Sequence, residues 1–456
     1  MSSATLSDTA PWVALTELAD KGDAEQLLEE TTVLGARECA RAMRHMDEES
    51  QAKVLTTLDP EDAADLMEEM HESQAAELIS NLSAKDAAAI LNEMESAETA
   101  DLLGMLDDDF VEELLKNMEP EAAQDARLLS QYDEHVAGGL MITEYLSFAD
   151  TLQVGQVIDD MRVNSEKYRE YSIQYTYITA PDGRLVGVLP LRSLLLTPGD
   201  TPVREIMIKN PLCVEADDSL EELTKLFEDY DFLAVPVVND DGKLVGVLRR
   251  TDIVEAVGDK AQSDFLKAQG IVGGEELRSM PIWQRCKGRL SWLSANILLN
   301  ILSASVIHLY EGTLQKAIAL AMFLPIISDM SGCSGNQAVA VSMRELTLGL
   351  IKPRDLVHVW LKEISVGLIN GFVLGALMGA VGLFWKGNPT LGIVIGAALA
   401  MNTILSVILG SALPLIMKVL KADPALASGP ILTTCTDTCG FFLVLSLASS
   451  VVEKLV

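Results

Sequence analysis

The sequence predicts a multi-domain fold that combines an all-α superhelical N-terminal domain, a duplicated α/β unit, a linking helix and an all-α membrane domain with five helices. Three observations predict it. An apolar residue recurs every twelve positions through 34–118, a strand–turn–strand pattern occurs twice within 137–260, and five long apolar segments follow residue 289. The length of 456 residues is enough for about three domains at ~150 residues each.

Charge divides the chain into two halves of opposite character. Residues 1–280 hold 22 Lys and Arg against 59 Asp and Glu, a charge of −37, whereas residues 281–456 hold 12 against 8, a charge of +4. The acidic balance argues against nucleic acid as a partner, because its binders need a basic surface, and it is compatible with binding of divalent cations. No secretory signal precedes the acidic N-terminus and no CxxC pair occurs, so we expect the soluble half to lie in the cytoplasm with free thiols.

The acidic half contains a strict helical repeat. In its fullest copy, 58–70, Asp59 suits an N-cap and Pro60 suits a first helical turn, and the acidic residues that follow favour the positive helix start. Each copy is predicted to be a short helix and a turn, stacked on its neighbours as a solenoid. The repeat positions are Leu34, Met46, Leu58, Met70, Leu82, Met94, Leu106 and Met118.

Two units of similar plan follow the repeat. Tyr175–Thr179 leads through an Asp-Gly turn to a second apolar run, and the same order recurs around Asp241-Gly242. Asp-Gly between β-rich runs is a strong hairpin signal. The paired pattern resembles a tandem of CBS domains, which often bind adenine nucleotides such as ATP. That resemblance makes Tyr175 a candidate for base stacking and Arg192 for phosphate contact, and a purely structural pair with an empty cleft is the alternative.

Hydropathy defines five segments that are long enough to span a bilayer, at 291–310, 318–342, 358–385, 391–417 and 426–451. Basic residues flank alternate ends of these spans. By the positive-inside rule this predicts a multi-pass protein of the cell (inner) membrane with cytoplasmic N-terminal domains and the C-terminus outside. The lipid bilayer is therefore an expected partner.

Polar residues mark two of the spans. The second is predicted to break at 331–337, where Asn336 and Gln337 offer neutral oxygens to an ion; hydrogen bonding between helices is the alternative. Asp329 precedes this stretch. The third span carries Gly367, Gly371, Gly375 and Gly379, a stripe typical of close helix packing.

Asp437 is the strongest functional candidate, because it lies about ten residues inside the last apolar segment. A carboxylate costs at least ~2.5–3.5 kcal/mol at the centre of a membrane helix. Helix geometry predicts that its face includes Thr433, Thr434, Gly440 and Phe441, while the neighbouring cysteines turn away. Oxygen ligands of low charge suit a hard ion such as Mg²⁺, and a dimer would supply a second Asp437.

The order of acidic repeat, CBS pair, linking helix and five spans resembles the MgtE family of magnesium channels over about 20–453. The most specific pieces are 58–66, the Gly335-Asn-Gln stretch and 423–437. The resemblance implies a homodimer with one pore on its two-fold axis, Mg²⁺ bound at Asp437, acidic clusters that sense cytosolic Mg²⁺, and a linking helix that plugs the pore. It implies sensor ligands at Asp231, Asp252, Glu255, Asp264 and Asp423. Cys333, Lys260 and Ser263 depart from the family pattern.

These observations predict the following boundaries: a lead-in at 1–19, the acidic helical-repeat domain at 20–136, CBS domains at 137–200 and 201–262, a linking helix at 253–276 and the membrane domain at 288–453.

The predicted function is a channel-like Mg²⁺ transporter, with Mg²⁺ as both substrate and regulator. The alternatives are a transporter of Co²⁺ or another divalent metal, and a membrane-anchored nucleotide sensor that transports nothing. An enzyme is not expected, because no nucleophile–base pair, histidine cluster or phosphate loop is found in the sequence.

Overall fold

The computed structural model describes residues 10–169, 171, 173–274, 276, 278, 280 and 282–455. The side chains of 36 and 426–428 lie outside this description, as do the predicted lead-in residues 1–9. The chain forms two compact units, and the boundary between them falls between Val257 and Gly258.

Ten short helices form the first part of the chain. They are α1 Pro11–Lys21, α2 Ala24–Leu34, α3 Ala36–Met43, α4 Glu48–Thr57, α5 Pro60–Glu68, α6 Glu72–Ser80, α7 Ala84–Leu91, α8 Ser96–Met105, α9 Asp108–Asn117 and α10 Pro120–Leu129.

Most helices of the repeat pack on the next but one, so that α5 meets α7, α6 meets α8 and α8 meets α10. Five of the eight twelve-residue positions are buried, with Leu58, Met70 and Leu82 at most 8% exposed, whereas Leu34, Met46 and Leu106 are partly buried against the same core. Asp47 and Ser83 cap their helices by accepting backbone hydrogen bonds. Asp59 occupies the N-cap of α5 without a capping hydrogen bond, and Pro60 fixes the backbone of the first turn as predicted. The predicted all-α superhelix is confirmed.

The duplicated unit contains two small sheets. The first joins β1 Leu146–Ala149, β2 Tyr175–Thr179, β3 Leu185–Pro190 and β4 Ile208–Lys209, and the second joins β5 Val214–Glu215, β6 Ala234–Val238 and β7 Leu244–Arg249. The accompanying helices are α11 Ala137–Leu140, α12 Val154–Val163, α13 Leu191–Leu196, α14 Val203–Ile206 and α15 Leu220–Asp229. Both predicted hairpins form, antiparallel between β2 and β3 and between β6 and β7.

The segment that precedes each sheet in the chain packs against the other sheet. Met141, which precedes the first sheet, packs over Gly246 of the second, and Met207 packs over Gly187 of the first. A methyl group at either glycine would overlap the methionine side chain, so the two glycines make this packing sterically feasible. The hairpin turns also meet, because Leu185 donates its backbone N–H to Gly242 O at 3.1 Å.

The linking helix α16 runs over Arg250–Ala268 and ends about eight residues before the predicted limit of 276. The backbone reverses at Gly270, whose φ of +85° lies in the left-handed region. Ile271 donates its N–H back to Leu266 O at 3.1 Å, which closes the helix end. Residues 269–274 are therefore a turn rather than a continuation of the helix.

The described residues include five helices that are long and apolar enough to cross a membrane. They belong to α17 Ile282–Leu309, α19 Leu324–Thr347, α20 Leu356–Lys386, α21 Pro389–Val419 and α22 Pro424–Ser450. The same part of the chain also contains the short helix α18 Glu311–Lys316 and 3₁₀ turns at Ile318–Met322, Pro353–Asp355 and Val452–Lys454. The five-span prediction is confirmed.

The predicted break at 331–337 is wrong, because α19 is continuous through it. Backbone groups at this depth are satisfied most completely within an unbroken helix. The glycines act in packing instead. Gly335 lies against Ser406 and Leu432, where a side chain would not fit.

The glycine stripe of α20 packs on α21 as predicted. A Cβ at Gly375 would lie 2.6 Å from Gly396 O, and one at Gly371 would lie 2.7 Å from Ala400 O. The two backbones therefore approach as closely as small residues allow.

Candidate ion site

A cavity of about 640 Å³ lies beside Asp437, and two helices supply most of its wall. The residues of α19 recur at helical spacing, and those of α22 recur every four positions, so one stripe of each helix faces the cavity. The full lining is Ile307, Ala321, Leu324, Pro325, Ser328, Asp329, Gly332, Cys333, Asn336, Thr433, Asp437 and Phe441.

Ser328 holds the carboxylate of Asp437. Its hydroxyl donates a hydrogen bond to Asp437 Oδ1. No described residue is shown to donate to Oδ2 of Asp437, and none of the lining residues is basic. The cavity therefore combines carboxylate, amide and hydroxyl oxygens without a fixed cation, which is the ligand chemistry of a hard divalent ion.

Three predicted site residues line the cavity and three do not. Asp437, Thr433 and Asn336 contribute to its wall, whereas Thr434, Gly440 and Gln337 lie outside it. The reason is the width of the face. On α22, residues four positions from Asp437 lie about 40° from it around the helix, but Thr434 and Gly440, three positions away, lie about 60° from it and meet neighbouring helices. Gln337 is on α19, one position and about 100° around the helix past the lining residue Asn336.

Thr434 and Gly440 have packing roles instead. The carbonyl of Thr434 accepts a hydrogen bond from Ser303 of α17 at 3.3 Å. Gly440 leaves room for Asn402 of α21, because a Cβ there would lie 2.6 Å from Asn402 Nδ2.

A buried polar network supports the site from behind. Asn402 donates to Ser331 Oγ at 2.6 Å and to Thr436 O at 3.0 Å, and Ser406 donates to Ser331 O at 2.5 Å. All four residues are fully buried. These bonds fix α19 and α22 against α21, and with them the stripes that face the cavity.

Sequence reasoning missed Ser328 as the partner of Asp437, and it noted Asp329 without assigning it a role. The signal that could have found both is the spacing of Pro325, Ser328, Asp329 and Gly332, which share one helix face. In the part of the chain that the structure describes, no three or more His, Cys, Asp or Glu side chains are grouped so that they could hold a metal by themselves.

The first unit contains a cluster of carboxylates between the helical repeat and the second CBS domain. Glu68 accepts a hydrogen bond from the N–H of Glu95 at 2.8 Å. Burial raises the pKa of Glu98 to about 8, and the charges of Glu68, Glu95 and Glu255 add to the effect. Burial also raises the pKa of Asp101 to about 7. Carboxylates held this close repel one another, so a bound cation would stabilise their packing.

Arg249 lies within this region and neutralises part of it. Its guanidinium binds Glu95 through two hydrogen bonds of 2.6 Å and Asp252 through bonds of 2.8 and 2.9 Å. The two carboxylates raise the pKa of Arg249 further above its usual range, although burial opposes them. Asp252, a predicted sensor ligand, is therefore already paired with a cation of the protein.

The other predicted sensor ligands range from exposed to half-buried. The side chain of Asp231 is fully exposed, and its nearest basic group is Arg250 at 4.0 Å. Glu255 is exposed on α16, and Asp264 is half-buried further along the same helix. Asp423 caps α22 by accepting from Ala425 N at 2.9 Å, and its other oxygen lies 3.3 Å from Lys267 Nζ.

The predicted nucleotide residues are neighbours at one end of the first CBS sheet. Tyr175 begins β2, and Arg192 is the exposed second residue of α13. A hydrogen bond of 3.2 Å from Leu191 N to Gln174 O brings the two chain segments together.

Three family models match this chain. The model described as a divalent cation transporter matches 324–447, the MgtE intracellular N domain matches 34–135, and the CBS domain matches 203–259. The CBS model thus covers the second of the two sheets, and the hairpin plan of the first sheet repeats that of the second.

Curated relatives share most of the length. The magnesium transporter MgtE of Thermus thermophilus is 32% identical over 349 residues, which is 75% of this chain and 76% of that protein. MgtE of Bacillus subtilis is 30% identical over 342 residues, 75% of each chain. A crystal structure of the cytosolic domain of the Mg²⁺ channel MgtE in complex with ATP aligns with a TM-score of 0.48 at 30% identity, over 54% of this chain and 99% of that one.

Proposed function

This chain belongs to the MgtE family of magnesium transporters, and we propose that Mg²⁺ passes through it along a channel-like path beside Asp437 and that cytosolic Mg²⁺ closes this path. The protein is a multi-pass membrane transporter with a cytosolic N-terminal domain, and it is not an enzyme. The observation that carries the proposal is the cavity between α19 and α22, in which Asp437 faces polar residues and no base.

The proposed ion is hydrated when it meets Asp437. Mg²⁺ dehydrates reluctantly and is usually bound by one or two carboxylates while it keeps several waters. One carboxylate, the amide of Asn336 and the space of the cavity suit such an ion. Ser328 leaves one oxygen of Asp437 for the water shell.

A second copy of the chain completes the proposed path. The apolar window of α17 is 6% buried and that of α20 is 22% buried, so both helices need lipid or a partner chain around them. A homodimer would place two copies of Asp437 at one axis and double the negative charge that meets the ion. The proposal puts the C-terminus outside, which the basic residues that flank alternate ends of the spans favour.

The proposed sensor is the set of carboxylates Glu68, Glu95, Glu98 and Glu255, which in this arrangement do not hold a metal by themselves, so a bound Mg²⁺ would keep much of its water shell. Mg²⁺ bound among these groups would favour the compact arrangement, because it removes their mutual repulsion. Moving a gate from mostly open to mostly closed needs a difference of ~5.5 kcal/mol in binding between the two states. Several ions per dimer are therefore required.

The linking helix is the proposed gate. Near its C-terminal end, Lys267 pairs with Asp423, the residue that caps α22. The helix that carries Asp437 therefore begins where the linking helix ends. A change at the sensor that shifts α16 would act on the base of α22.

Flux through liposomes tests the path. We expect Asp437→Asn to abolish uptake of Mg²⁺ that a fluorescent indicator reports, whereas Glu453→Gln, which removes an exposed carboxylate at the end of the chain, leaves uptake unchanged. Wild-type uptake by Asp437→Asn would refute the pore assignment. Competition with Co²⁺ in the same assay tests the alternative substrate.

Limited proteolysis tests the gate. We expect Mg²⁺ to protect 250–276 from cleavage in the full-length protein in detergent, because the compact state holds α16 in place. Equal cleavage with and without Mg²⁺ would contradict the sensing mechanism and leave the transport assignment intact.

A nucleotide site is the second proposal for the soluble part. It rests on the adjacency of Tyr175 and Arg192 at the end of β2. Calorimetry with ATP should show binding that Arg192→Ala weakens at least tenfold, and the absence of heat in the wild type would refute the site.

A further inference from the structure

Asp329 is a carboxylate inside the second membrane span with no visible structural role. It lies in the sixth position of α19, so it does not cap the helix, and it is exposed. Within the described residues, no hydrogen bond or ion pair to its side chain is found, and none of the residues around the cavity is basic. A carboxylate of this kind is costly in a membrane helix, and such residues usually serve an ion path.

Asp329 lies in the same site as Asp437. Both residues line the same cavity, and the neighbour of Asp329, Ser328, donates the hydrogen bond that holds Asp437. The contact places Asp329 at nearly the same depth as Asp437, one residue along α19. The two carboxylates thus meet one space from two different helices.

We propose that Asp329 is a specificity-determining residue of this transporter, which together with Asp437 selects a hydrated divalent cation over monovalent cations. The inference rests on the proposed path beside Asp437 and goes beyond it by giving the site a second charge. A dimer would then present four carboxylates to the ion.

The physical basis is the dependence of Coulomb attraction on ion charge. The energy that a fixed carboxylate contributes is proportional to the charge of the ion, so it is twice as large for a divalent as for a monovalent cation. Loss of one carboxylate therefore weakens divalent occupancy by the square of the factor that applies to a monovalent ion. A second carboxylate also avoids the need to strip water from Mg²⁺, because charge acts through the water shell.

The experiment measures uptake of Mg²⁺ and of Na⁺ into liposomes for Asp329→Asn. We expect KM for Mg²⁺ to rise about tenfold and KM for Na⁺, in Mg²⁺-free buffer, to rise about threefold, so that selectivity falls about threefold. Asp329→Glu, which keeps the charge, should stay near the wild type in both. Glu345→Gln, on the same helix but outside the cavity, is the matched control and should change neither.

The outcomes separate this inference from the proposed path. If Asp329→Asn has wild-type KM values while Asp437→Asn is inactive, the role of Asp329 is refuted and the path stands. If Asp437→Asn conducts normally, the path itself fails. Size-exclusion chromatography checks folding, and if Asp329→Asn does not fold, Asp329→Ser replaces it as the uncharged variant with the same expected shifts.

Discussion

The guanidinium of Arg249 binds the carboxylate of Glu95 through two hydrogen bonds of 2.6 Å, and it joins the last strand of the second CBS domain to the start of α8. The same guanidinium binds Asp252. A cation built into the chain therefore lies where the acidic side chains would otherwise repel one another, and under the proposed sensing mechanism a bound Mg²⁺ would have less repulsion to relieve at this point.

Loss of this cation should destabilise the first unit. The side chains of Glu95 and Asp252 are 30% and 15% exposed, so Arg249→Ala would leave two largely buried carboxylates without a counter-charge. We expect the free energy of unfolding to fall by about 2 kcal/mol, less than for a fully buried pair because some solvent reaches the group. Thermal unfolding of the full-length protein in detergent measures the change.

The control for Arg249 is Arg184, which pairs with Asp182 on the surface of the first CBS domain. The side chains of Arg184 and Asp182 are both about half exposed or more. Arg184→Ala should therefore change the free energy of unfolding by less than about 0.5 kcal/mol. If the two substitutions lower the free energy of unfolding equally, the Arg249–Glu95 pair does not stabilise the first unit.

Stability of the first unit should fall as pH rises from about 4 to 8. Burial raises the pKa of Glu98 to about 8 and that of Asp101 to about 7, well above the values of about 4 in an unfolded chain. The folded protein then binds more protons than the unfolded one, and the resulting stability is present below pH 4 and lost as pH rises through the folded-state pKa. Glu98→Gln should flatten the decline and add about 1–3 kcal/mol at pH 8.

Melting curves between pH 5 and pH 8.5 test this dependence. Glu112→Gln is the control, because Glu112 is exposed and pairs only with Lys116 at 3.6 Å among the described ion pairs. Curves for Glu98→Gln that run parallel to the wild type would mean that Glu98 is charged in the folded protein.

The pair of Lys267 and Asp423 should bias the gate toward the closed state. Asp423→Asn keeps the cap of α22, since asparagine is a good N-cap, but loses the ion pair, as does Lys267→Met. We expect both variants to raise Mg²⁺ flux about twofold to threefold at high cytosolic Mg²⁺, in keeping with about 0.5 kcal/mol for a partly exposed ion pair. The double variant should do no more than either single one.

Asp423→Ala separates the cap from the pair. It removes both and should lower the stability of the membrane domain by about 1 kcal/mol more than Asp423→Asn does. If Asp423→Asn leaves flux unchanged at every Mg²⁺ concentration, the contact has no part in gating.

The glycine contact between α20 and α21 should not tolerate a side chain. A Cβ at Gly375 would meet Gly396 O at 2.6 Å and Ala400 Cβ at 2.9 Å, so Gly375→Val must push the helices apart. We expect a loss of about 1–3 kcal/mol, seen as a lower melting temperature of the protein in detergent. Ala376→Val is the matched control, because Ala376 is exposed on the other face of α20 and should be neutral.

The sequence by itself determined the elements and their order. The twelve-residue period, the two Asp-Gly turns and the five apolar segments each report local physics, namely helix caps, hairpin chemistry and hydropathy, and each appears in the structure. The cost of a charge in hydrocarbon was enough to single out Asp437. Small residues every four positions were enough to predict the contact surface of α20.

Only the tertiary structure decided which side chains meet. Periodicity shows which side of α22 carries Asp437 but not how wide a strip of that side faces the cavity. The predicted ion site therefore included Thr434 and Gly440, although both contact neighbouring helices. Ser328 and Asp437 are 109 positions apart, and Arg249 and Glu95 are 154 apart, and no local pattern encodes either pair. Helix α19 stays continuous through its glycines because its neighbours accept close packing there, which depends on the whole membrane domain rather than on the stretch itself.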